Sequence, residues 1–68
     1  MKISARNLLP GTVKSIKLGA TTAHVTIDVS GATITASITN EAVADLGLKV
    51  GDKVSAVIKS SDVMVAVS

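Results

Sequence analysis

The stretch TAHVTIDVSGATITASIT, Thr22 to Thr39, decides the fold. Ala23, Val25, Ile27 and Val29 alternate with Thr22, His24, Thr26, Asp28 and Ser30, the period of two expected of a strand with one buried face. Ser30 and Gly31 turn the chain. The alternation then resumes, with Ile34, Ala36 and Ile38 set against Thr33, Thr35, Ser37 and Thr39, so the two runs read as a β-hairpin. Threonine and β-branched aliphatic side chains suit such a half-buried pleated surface.

Downstream of the hairpin the pattern changes. Asn40 is placed to cap a helix, Glu41 suits its first turn, Val43 and Leu46 share one face, and Gly47 supplies the stop. Two turns of helix are unstable alone, so this one is expected to be held by packing. Leu48 to Asp52 form a turn, and Val54, Ala56 and Ile58 alternate with Ser55, Val57 and Lys59 in a further strand. After a turn at Ser60-Ser61-Asp62, the run from Val63 to Val67 is apolar on both faces. Such a strand is expected to be covered on both sides, one cover being a neighbouring subunit.

Upstream, Leu8 to Leu18 reads as one long strand, bent or bulged near Pro10 and Gly11 or near Ser15, preceded by a short segment from Lys2 to Asn7. The expectation is one domain over residues 1–68, all-β with one short helix. Its architecture is a five-stranded OB-type barrel with the helix between strands 3 and 4.

Composition narrows the function. At 68 residues a single core is marginal, and with no cysteine and one histidine the chain has neither a disulfide nor a typical zinc set to reinforce it. Hydrophobic residues make up 47% of the chain, yet Phe, Tyr and Trp are absent, so small apolar side chains must share the work and association is expected. The net charge is +2, and the seven Lys and Arg are scattered. Without a basic run or aromatic stacking platforms, nucleic acid is not an expected partner. The apolar stretches are too short to cross a membrane and the N-terminus lacks a signal-peptide apolar region, so a cytoplasmic protein is expected.

Catalysis needs a nucleophile with a base, paired carboxylates or a metal, and the inventory supplies none of these. No enzyme and no cofactor are expected. His24 reads as an exposed or interfacial histidine. Asp28, Glu41, Asp45, Asp52 and Asp62 read as caps, turn formers and solvating charge, and the glycines lack the spacing of a phosphate loop. Two segments stand apart: Ser4-Ala5-Arg6-Asn7 and Lys59-Ser60-Ser61-Asp62-Val63. Both offer N–H and O–H donors without bulk beside a cation, which is the chemistry a small tetrahedral oxyanion needs.

These two segments, with Gly11, Ile38-Thr39 and Leu46-Gly47-Leu48 before Gly51 in order between them, resemble the molbindins, also called molybdenum-pterin-binding proteins. The resemblance spans essentially the whole chain. It implies an OB-type fold of the transport-associated kind, assembled as a homo-hexamer described as a trimer of dimers, that stores or buffers molybdate and tungstate at subunit interfaces. Carried over by position, the site residues are Ser4, Ala5, Arg6 and Lys59, with Ser60 as a further donor and Thr39 supplied by a neighbouring subunit. A related regulator-type domain has a serine three residues beyond that threonine. Ala42 stands there in this chain, so one hydroxyl contact is missing or replaced. The family's older name keeps a second reading open, the binding of a pterin or of the molybdenum cofactor.

Overall fold

The structure is a computed structural model and describes residues 2–68. Its frame is a four-stranded antiparallel sheet in the order β3-β2-β1-β4, from β1 (Asn7–Leu18), β2 (Thr22–Val29), β3 (Ala32–Thr39) and β4 (Lys53–Ile58), with helix α1 (Asn40–Leu46) between β3 and β4. The hairpin legible in the sequence is β2–β3. Its closing pair is Val29↔Ala32, and Ser30 and Gly31 both take positive φ (50° and 89°), as a two-residue turn matched to strand twist requires.

Strand β1 serves two neighbours. Its first half pairs with β4, from Asn7↔Ile58 to Thr12↔Lys53, and its second half pairs with β2, from Thr12↔Asp28 to Leu18↔Ala23. The register shifts between Val13 and Ser15, which is the bulge expected near Ser15. There the Ser15 and Thr26 hydroxyls are hydrogen-bonded to each other. Where the sheet curls, Gly11 lets β1 lie close to β2. A methyl group added at Gly11 would come within 2.5 Å of the Asp28 carbonyl oxygen and 2.8 Å of Ile27 Cγ2.

The concave face of the sheet buries Val13, Ala23, Val25, Ile27 and Ala56, and α1 closes over it through Val43. Leu9, Ile16, Ile34, Ile38, Leu48 and Val54 pack around them, half-buried. Gly47 ends α1 in the left-handed conformation (φ 61°), with its N–H on the Ala44 carbonyl. The N-cap differs from expectation by one residue. It is Thr39, whose Oγ1 accepts from the Ala42 N–H at 3.0 Å, while Asn40 is the first helical residue. Asn40 instead ties α1 to the β1–β2 turn, its backbone N–H donating to the Thr21 carbonyl and its Nδ2 to the Gly19 carbonyl.

The expected fifth strand is not formed, so the five-stranded barrel is corrected to an open four-stranded sheet. After β4 the chain makes a single turn of 3₁₀ helix, Ser60–Asp62, and residues 63–68 pair with no strand. Met64, Val65 and Val67 are 93, 90 and 93% exposed. The physical reason lies in the segment itself. Its apolar character on both faces demands cover on both sides, and one copy of the chain gives it none.

Candidate functional site

The β1–β4 ladder runs antiparallel and Asn7↔Ile58 is its last rung. The residues next in chain on either side, Arg6 and Lys59, therefore leave the sheet at the same end. The two segments singled out in the sequence, near opposite ends of it, are made neighbours by strand pairing alone. Asn7 reinforces the junction, its Nδ2 donating to the Ile58 carbonyl at 3.1 Å.

Within the first segment, exposure alternates. Ala5 is buried, and Ser4 and Arg6 on either side of it are exposed. Ala5, with no polar side-chain atom, can offer a ligand only its backbone, while Ser4 presents a hydroxyl and Arg6 a guanidinium to solvent. Across the ladder, Lys59 and Ser60 are exposed in turn. Lys59 has an extended backbone (φ −63°, ψ 140°) and its carbonyl accepts from the Asp62 N–H at 2.9 Å, which fixes the turn that carries the two serines. Two cations, hydroxyls on short side chains and backbone N–H groups thus project from one end of the sheet. Donors of this kind are what charge-assisted hydrogen bonds to an anion with several acceptor oxygens require. Among the described residues no group of three histidine, cysteine or acidic side chains is placed to hold a bare metal ion.

Thr39 does not join this cluster within one chain. It pairs with Thr22 beyond the far end of β1, where Leu18 meets Ala23, at the opposite end of a 12-residue strand from Asn7. Its hydroxyl oxygen is occupied by the Ala42 N–H, which leaves the hydroxyl proton free to donate. Ala42 itself offers no hydroxyl here and serves the cap through its backbone. Asn7 closes the donor-rich segment Ser4–Asn7, but its side chain is spent on the Ile58 carbonyl, and the one sequence signal of that role is an asparagine at the start of a strand, a position that residue seldom favours.

A second feature lies along the open side of the sheet. Between β3 and β4, the two edge strands, runs a largely apolar groove of about 860 Å³ walled by Val25, Ile34, Ile38, Leu48, Val54 and Ile58. Each edge strand leaves one row of backbone groups without a strand partner along this seam. No helix among the described residues is long and apolar enough to cross a membrane.

Comparison with known proteins agrees with this fold. The TOBE domain family matches residues 3–65. Molybdenum-pterin-binding protein 3 of Clostridium pasteurianum is 46% identical over 66 residues, covering 96% of this chain and 97% of that protein. A solved molybdate-binding protein from Sporomusa ovata superposes with a TM-score of 0.94 at 45% identity, covering 97% of this chain and 98% of the other. The cytoplasmic molybdate-binding protein ModG, solved with molybdate bound, superposes with a TM-score of 0.89 at 54% identity, and the match covers 94% of this chain but 46% of ModG.

Proposed function

From the premise that this chain belongs to the TOBE domain family, among the molybdenum-pterin-binding proteins, we propose that it binds molybdate and tungstate reversibly between copies of itself in the cytoplasm and so stores or buffers them. The observation that carries the reading is the last rung of the β1–β4 ladder, from which Ser4-Ala5-Arg6 and Lys59-Ser60 depart side by side. In this reading Lys59 and Arg6 balance the charge of the oxyanion. Ser4, Ser60 and the backbone of Ala5 hydrogen-bond its oxygens, and Thr39 of a neighbouring copy donates its free hydroxyl proton. The bound metal centre undergoes no covalent change, and the protein is not an enzyme.

Two features support assembly. Thr39 sits at the wrong end of its own chain to serve its own site, so a complete donor set calls for a second copy. The apolar run from Val63 to Val67 stands exposed beside no partner, while the β3–β4 seam offers an apolar groove and unpaired strand edges that an extended apolar segment fits. Exchange of these segments between copies covers both surfaces, and a hexamer built as a trimer of dimers satisfies the family resemblance. The pterin reading draws support from the names of the relatives and from the groove, but the groove is the same one that the exchanged segment would fill.

The test is a calorimetric titration of tungstate into wild-type protein and into Lys59→Ala. Loss of a charge-assisted hydrogen bond should weaken binding on the order of tenfold or more with the oligomer intact. Unchanged affinity would remove Lys59 from the site.

A further inference from the structure

Asn7 stands outside the donor set just described, and nothing in that set accounts for it. Asparagine is disfavoured in strands, yet this one opens β1, is half-buried, and spends its side-chain amide on a backbone carbonyl 51 residues away. The carbonyl it holds belongs to Ile58, and the peptide unit of that carbonyl also carries the Lys59 N–H. Arg6 is joined directly to Asn7 itself. The Asn7 amide is therefore a cross-brace between the two peptide units from which the two halves of the site begin.

End rungs of a ladder fray, because they have neighbours on one side only. The brace acts at that position. Without it, Ser4–Arg6 and Lys59–Ser60 would be free to move apart or together and follow the outline of whatever anion arrives. With it, the gap between them is fixed.

We propose that Asn7 is a positioning residue of the oxyanion site, and that its clamp on the Ile58 carbonyl sets the gap between the two donor segments and thereby the size of tetrahedral oxyanion accepted. The proposal rests on the function proposed above. Sulfate carries the same charge as molybdate and tungstate and presents the same number of oxygens, so charge and donor count do not separate them. A fixed gap does, because the larger anions span it and the smaller one leaves hydrogen bonds long or unmade.

The experiment is competition calorimetry with tungstate and sulfate on the wild type, Asn7→Ala and Asn7→Leu, with the oligomeric state and melting temperature of each followed in parallel. Asn7→Leu keeps the branched shape of the side chain and replaces its polar atoms by methyl groups, so it separates loss of the brace from loss of packing. The expected result is that both variants remain assembled and lose about fivefold or more in the ratio of tungstate to sulfate affinity, the scale of one hydrogen bond. A merely structural role would weaken both anions in proportion or lower the melting temperature alone, and an unchanged ratio in both variants overturns the proposal. A wild type that binds neither anion overturns the proposed function itself and this inference with it.

Discussion

The β2–β3 hairpin and the segment from Val63 to Val67 draw on the same small aliphatic side chains, and they end in opposite conditions. In the hairpin, apolar residues alternate with threonine, serine, aspartate and histidine, so one face packs and the other meets water. Ala23, Val25 and Ile27 are buried there by the chain's own β1 and α1. In the final segment every residue from Val63 to Val67 is apolar, and those side chains remain in solvent. The difference teaches that alternation lets a strand be completed by its own chain, whereas an uninterrupted apolar run is written for a surface the chain does not itself supply. The candidate site lies at the boundary between the two regimes, with Lys59 and Ser60 falling between the last self-paired strand and the uncovered segment.

The sharpest way to break this comparison is to end the chain after Asp62. Burying the four large apolar side chains of the tail contributes on the order of several kcal/mol per copy. Its removal should therefore abolish the oligomer by native mass spectrometry and tungstate uptake with it. The strand signal in circular dichroism should largely persist, because β2, β3 and β1 owe their packing to one another. A truncated protein that still assembles would mean that the exposed segment is not the element that joins copies.

A smaller change sharpens the same comparison at the end of the hairpin. Thr39→Ala removes the N-cap of α1, a loss of about 1 kcal/mol, which for a domain of this size lowers the melting temperature by about 5 °C. It also removes the hydroxyl assigned to a neighbour's site and should weaken tungstate binding severalfold. Thr39→Ser restores both properties. Thr39→Asp keeps the cap but sets a carboxylate against the anion, so stability returns while binding stays impaired. If Thr39→Asp binds tungstate as well as wild type, Thr39 is a cap and nothing more.

Much of the fold was legible because its signals are local. The period of two in β2 and β3, the Ser30-Gly31 turn, Gly47 at the end of α1 and the irregularity near Ser15 all follow from the residues at those positions. The N-cap was displaced by one residue because Thr39 and Asn40 are both good caps, and the choice went to tertiary context: the Asn40 amide is engaged with the Gly19 carbonyl. The fifth strand was misread as part of one copy's barrel because a run that is apolar on both faces specifies burial without specifying by which molecule. The two halves of the site were visible as donor-rich segments, but their adjacency depends on the β1–β4 register, and that register is a long-range pairing no local pattern reports. The Asn7 brace was hidden for the same reason, since its partner is a backbone carbonyl and carbonyls leave no trace in sequence.

The most direct test of the central claim, that small tetrahedral oxyanions are held between copies of this chain, is native mass spectrometry of the protein with molybdate, tungstate, sulfate and phosphate presented separately at equal concentration. The account predicts a hexamer that retains several molybdate or tungstate ions and releases sulfate and phosphate. A monomer that binds these ions, or an oligomer indifferent to all four, would contradict it.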